Sequence, residues 1–153
     1  MIESILCVCL GNICRSPTAE GVLRVLSDRA GLDLCHDSAG TGGWHIGDPP
    51  YGPAIRAAAA RGYDIAAQRA RRITAADFGR FDLILAMDRA NLAAVNALRP
   101  AGMQTPVRLL LDYADTPLID VPDPYFTDDF EGALDLIEAG ARGVLSRLAD
   151  QPQ

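Results

Sequence analysis

Five residues from three separate stretches carry side chains that together can attack a phosphate ester. Cys9 and Arg15 lie in CLGNICRSP (9–17), Trp44 in SAGTGGWH (38–45), and Asp123 and Tyr125 in DPYF (123–126). The first stretch has Cys-x5-Arg-Ser spacing and runs into Pro17, a residue favoured at helix starts. A helix N-terminus presents unpaired backbone N–H groups at the positive end of its dipole, and both bind anions. Gly11 and Asn12 both tolerate positive φ, so the segment can curl until several N–H groups converge. Arg15 adds a planar fork for two phosphate oxygens. The expected product is a cradle for a tetrahedral dianion, lined by the loop Leu10, Gly11, Asn12, Ile13 and Cys14.

Cys9 sits at the mouth of that cradle. A thiolate, not a thiol, attacks phosphorus, and helix N-termini and nearby guanidinium groups favour the thiolate. Ser16 is placed to donate a hydroxyl hydrogen bond to the sulfur. An ester also needs an acid for its leaving group. Pro122 and Pro124 restrict the backbone on both sides of Asp123, which suits a carboxyl held over a pocket. Asp120, on the same segment, is a competing acid. Tyr125 can stack on an aryl substrate with Trp44 as the opposite wall and Phe126 beside them, so the anion expected is an aryl phosphate.

These residues must be positioned by elements legible in the pattern. Ser4–Cys9 reads as an apolar strand, and Pro17–Gly31 as a helix capped by Ser16, with Ala19, Val22, Leu23, Leu26 and Ala30 as its stripe. Leu32–Ala39 reads as a second strand, Pro53–Arg61 as a helix closed by Gly62, and Arg69 to Asp77 as irregular. Phe81–Met87 is a near-continuous apolar strand, followed by a helix over Asp88–Leu98 and a strand over Val107–Leu110. Residues 111–128 form a long aperiodic connection before a last helix, Asp129–Ala149. Strict alternation of strand and helix implies a parallel sheet covered by helices on both faces. In such sheets ligands bind beyond the carboxyl ends of the strands, where every residue singled out above falls.

Composition narrows the class. The 153 residues suit one domain over 1–153, and a net charge of −6 argues against nucleic-acid or anionic-membrane partners. No 18-residue apolar run or signal pattern is present, so no membrane span is expected. Four cysteines without a leader fit a reducing compartment, the cytoplasm, with export by a signal-independent route left open. Cys7 and Cys35 read as core residues, His36 and His45 as polar surface residues, and Cys14 as a packing residue or a redox partner. Asp88 reads as a helix cap or a supporting partner of the loop. The cluster Arg69, Arg71 and Arg72 reads as a solvated face, or as a docking patch for acidic or phosphorylated partners. Cys-x-Cys along a strand is poor zinc geometry, so no metal is expected.

CLGNICRSP, SAGTGGWH, MDRAN (87–91) and DPYF, in this order and spacing, resemble the low-molecular-weight protein tyrosine phosphatases over essentially the whole chain. The resemblance implies a flavodoxin-like three-layer α/β/α fold with a four-stranded parallel sheet, and no metal or cofactor. It implies Cys9 as the nucleophile that becomes phosphocysteine, Arg15 as the phosphate clamp, and Asp123 as general acid and then base. Asn12, Ser16 and Ser38 match positions that hold the loop, and Cys14 matches a cysteine able to form a reversible disulfide with Cys9. Trp44 and Tyr125 match pocket walls. Ile13 fits the tyrosine-specific branch, where related arginine phosphatases tend to carry threonine; Phe126 departs from a frequent second tyrosine. Phosphotyrosine proteins are the implied partners and inorganic phosphate the product, from a monomer with weak dimerisation through the pocket face left open. An arsenate reductase resembles this fold and loop, but no cysteine follows Cys35 to relay electrons. A phosphotyrosine-binding module would need neither Cys9 nor Asp123.

Overall fold

The first strand, β1 (Ser4–Cys9), is apolar because helices cover both of its faces. Alternate side chains leave a strand on opposite sides, and here they divide cleanly. Ile5, Cys7 and Cys9 enter one core with Leu83, Leu85 and Met87, while Leu6, Val8 and Ile84 enter the other. The computed structural model describes residues 1–150 and contains three further strands: β2 (Cys35–Gly40), β3 (Leu83–Ala86) and β4 (Val107–Leu109). All pairings are parallel, in the order β2-β1-β3-β4.

That order is the flavodoxin-like arrangement with a four-stranded sheet. The chain leaves β1 for one side of the sheet and then returns to its other side, so the topological switch lies between β1 and β3. Helix α1 (Arg15–Arg29) and the long α6 (Phe130–Ala149) supply the first core, with Ala58 of α2 (Gly52–Ala60). Phe78 of the short α3 (Asp77–Arg80) and Val95 of α4 (Arg89–Ala97) close the second. Leu85 is fully buried, and truncating it to alanine would cost about 2–5 kcal/mol by loss of transfer energy plus a cavity.

Several boundaries differ from expectation, each for a local reason. The first helix starts at Arg15, not Pro17; Cys14 occupies the cap position with no side-chain cap bond, and Ser16 lies inside the first turn. The second strand starts at Cys35 rather than Leu32, because Leu32 N–H still bonds back to the Ser27 carbonyl at 2.9 Å. Cys35, expected in the core, is exposed, since it begins an edge strand. The aperiodic 111–128 connection holds a 3-10 turn at Leu110–Tyr113 and a short helix α5 (Pro124–Thr127). The stretch Arg69 to Asp77 is tied down by a bridge between Gly40 and Arg72.

The 3-10 turn and α6 meet where glycine is required. A Cβ on Gly143 would overlap the Tyr113 carbonyl, so the connection lies directly on the helix surface. No helix among the described residues is long and apolar enough to cross a membrane.

Candidate active site

The loop between β1 and α1 closes around the sulfur of Cys9. Positive φ falls on Asn12 (φ 58), not on Gly11; a Cβ on Gly11 would instead come to 3.1 Å from the His45 ring. A non-glycine residue in this region carries strain unless its surroundings fix it, and Asn12 is fixed on every side. Its N–H donates to Cys9 Sγ at 3.3 Å. Its amide Nδ2 donates to Ser16 Oγ (2.8 Å) and Ser38 Oγ (3.0 Å), and its Oδ1 accepts from Arg71 N–H at 3.0 Å. All its side-chain hydrogen-bonding capacity as a donor is used, and it is buried.

This wiring sets the direction of one proton. Ser16 Oγ lies 3.0 Å from Cys9 Sγ. Because Asn12 already donates to Ser16 Oγ, the single serine hydrogen is left for an acceptor, and the alternative, the Ala39 carbonyl, is 3.4 Å away. The sulfur thus receives an O–H from Ser16 and an N–H from Asn12, donors that stabilise a thiolate. Deeper still, Ser38 and Arg24 hydrogen-bond Glu20, whose pKa is nevertheless raised, chiefly by burial.

Arg15 is buried and anchored from behind. Its Nη1 donates to Asp88 (2.6 Å) and to the Val121 carbonyl (3.0 Å), and its Nη2 reaches Asp123 at 3.4 Å. Burial by itself would lower its pKa, but Cys9, Asp88 and Asp123 together raise it, so the cation is secure. Its Nε is buried with no hydrogen-bond partner among the described residues, a donor held in reserve for an anion. Asp88 serves both roles read for it: Oδ1 caps α4 by accepting from Asn91 N–H (2.7 Å), while Oδ2 holds Arg15.

Asp123 is itself the cap of α5, accepting from Tyr125 N–H at 3.1 Å. The adjoining prolines and this cap hold its carboxyl at the cavity while Oδ2 faces Arg15. Asp120 is turned away and consumed by Arg89, which lowers its pKa and removes it as a competing acid. Cys14 lines the pocket with its thiol pKa pushed up to about 12, first by burial and then by Asp123 and Cys9.

These groups surround a cavity of about 240 Å³ lined by Cys9, Leu10, Gly11, Ile13, Cys14 and Arg15 of the loop and by Trp44, Asp123, Tyr125 and Phe126; Asn12, expected in the lining, is instead buried behind it, where its side chain bonds Ser16 and Ser38. Trp44 packs against Gly42, where any Cβ would overlap its ring. Tyr125 is braced by Tyr51 at 5.3 Å and by Phe126 edge-on at 5.3 Å.

Three contributors were not legible beforehand. His45, read as surface, lines the cavity. Tyr51 supports Tyr125 from a loop with no motif. Arg71, read with its neighbours as a solvated face or docking patch, is held by Asp37 and by fully buried Asp77, and its backbone fixes Asn12. Only the Asn12 bond has a sequence signal, the placement of a polar residue in a strained loop.

Fold and site together define a cysteine-based phosphatase built on a flavodoxin-like sheet. The family model described as "Low molecular weight phosphotyrosine protein phosphatase" matches residues 4–153, and the chain belongs to that family. The low molecular weight protein-tyrosine-phosphatase YfkJ of Bacillus subtilis is 40% identical over 153 residues, covering 98% of each chain. A low molecular weight protein-tyrosine-phosphatase of Streptomyces coelicolor is 42% identical over 154 residues, covering 94% of this chain and 92% of its own. The crystal structure of YfkJ superposes with a TM-score of 0.93 at 39% identity, over 100% of this chain and 98% of that one.

Proposed function

We propose that the chain hydrolyses phosphotyrosine in proteins, and small aryl phosphates, in two displacements at phosphorus. Cys9 Sγ attacks phosphorus as the ester P–O bond breaks, and Asp123 delivers a proton to the departing phenol oxygen. Water then attacks the phosphocysteine, Asp123 takes its proton, the S–P bond breaks, and inorganic phosphate leaves with the thiolate restored. Arg15 and the loop N–H groups hold the non-bridging oxygens through both steps, where preorganised donors lower the barrier most. The observation that carries the reading is one cavity lined by both Arg15, whose buried Nε has no hydrogen-bond partner among the described residues, and Cys9, whose sulfur is held by Ser16 and Asn12.

The aromatic walls Trp44, Tyr125 and Phe126 favour an aryl over an alkyl ester. Phosphate release from a phosphotyrosine peptide and from an aryl phosphate tests the reading. Cys9→Ser is expected to abolish both, with wild-type protein yielding a phosphocysteine on acid quench. Full activity in Cys9→Ser would refute the mechanism.

A further inference from the structure

Trp44 stands between two cavities. Beyond the catalytic pocket, a second groove of about 480 Å³ shares Leu10 and Trp44 with it, passes over Thr41–Gly43 and ends at Arg72. Arg71 and Arg72 are adjacent but differ in employment. Arg71 is tied to Asp37 and Asp77, whereas the Arg72 side chain is exposed and makes no hydrogen bond or ion pair among the described residues.

The position of Arg72 is nonetheless fixed. Its backbone bridges to Gly40, and Ile73 N–H donates to the Gly40 carbonyl at 2.9 Å. Its stem lies along Gly43, with Cδ at 3.6 Å from where a Cβ on that residue would stand. Gly40 pairs in turn with Cys9. Two strand spacings of about 4.8 Å therefore separate the Arg72 and Cys9 backbones, a span of about 10 Å that an extended chain covers in about three residues. In a molecule of net charge −6, a secured but unpaired cation beside an apolar groove selects for negative charge.

Resting on the phosphotyrosine reading above, we propose that this groove binds the substrate chain next to the phosphotyrosine, and that Arg72 selects an Asp or Glu within three residues of it. The occupant is an extended acidic peptide segment, since the groove pairs apolar walls with one cation. Arg72 determines specificity and takes no part in bond making.

The test compares phosphotyrosine peptides that differ only by Glu against Gln at the flanking positions, with a small aryl phosphate as control. Wild-type protein is expected to prefer one or more of the Glu peptides about two- to fivefold in kcat/KM at low salt, the range of an exposed ion pair. The preference should shrink as ionic strength rises. Arg72→Gln should abolish it and Arg72→Glu reverse it, with aryl phosphate turnover retained. Equal turnover of all peptides by wild-type protein, or an unchanged preference in Arg72→Gln, would overturn the proposal while leaving the phosphatase reading intact. No turnover of any substrate would overturn both. A shift in sedimentation on Arg72→Glu without altered peptide preference would assign the groove to a second copy of the chain and overturn the proposal.

Discussion

At the scale of single residues, the polar groups of the site hold one another in place: Asn12 bonds Ser16 and Ser38, and Asp88 anchors Arg15. Ser16→Ala removes the hydroxyl that meets both Cys9 Sγ and the Asn12 amide, and with it a hydrogen bond to the attacking thiolate of the proposed mechanism. Such bonds are worth about 1.5–3 kcal/mol, so kcat should fall about 10- to 150-fold in steady-state assays. Asp123→Ala should slow turnover by about 10²–10⁴-fold, most for poor leaving groups, so a series of aryl phosphates of rising phenol pKa should show a steeper dependence in the variant. The cysteines separate by environment. Cys7 is raised well above an ordinary thiol, mainly by burial, and Cys14 lies at about 12. In Cys9→Ser protein at pH 8, mass spectrometry after iodoacetamide should therefore find Cys35 alkylated and Cys7 and Cys14 untouched until the chain is unfolded.

At the scale of elements, the strands and their connections place chemistry, and one close contact bears on that placement. Gly143 lets the Tyr113 carbonyl rest on α6, upstream of the segment that carries Asp123. Gly143→Ala should cost about 1–3 kcal/mol by overpacking, seen as a lower midpoint in urea, with a matching loss of kcat if the segment shifts. His36, on β2, has its pKa lowered to about 4, first by burial and then by Arg24. Folding thus favours the neutral ring, because the unfolded chain binds its proton near 6.5 and the native state does not. The stabilising contribution is complete above about 6.5 and is lost as pH falls toward 4. Urea unfolding midpoints should decline over that window, less steeply in His36→Gln. The alternation of elements was readable because apolar periodicity reports burial directly. The start of α1 was not: Ser16 has the composition of a cap, but its hydroxyl is drawn to Cys9 by a contact seven residues away.

At the scale of the whole molecule, an acidic chain keeps a buried arginine at the carboxyl ends of its central strands. Arg15 is buried there with Asp88, and the first-turn N–H groups of α1 have no side-chain cap. An anion bound only by the native state stabilises it by about 2.7 kcal/mol at one hundred times its Kd. Inorganic phosphate at that excess should raise Tm by roughly 5–10 °C in calorimetry, and Arg15→Ala should abolish the increase.

The amino-acid pattern alone carried the fold class and singled out as candidates Cys9, Arg15, Asp123 with a competing Asp120, and the aromatic residues Trp44, Tyr125 and Phe126. Those features depend on local spacing: a strand, a curled loop, a helix start, and prolines around a carboxylate. The tertiary structure alone decided which of the two acids faces the pocket and which arginine of the 69–72 cluster is free. Asp120 and Asp123 share one connection, yet Arg89 holds the first and Arg15 meets the second. Arg71 and Arg72 are chain neighbours, yet only one meets buried Asp77. Partners such as these lie 6–108 residues apart in the chain, so no local pattern encodes them, and packing selects them.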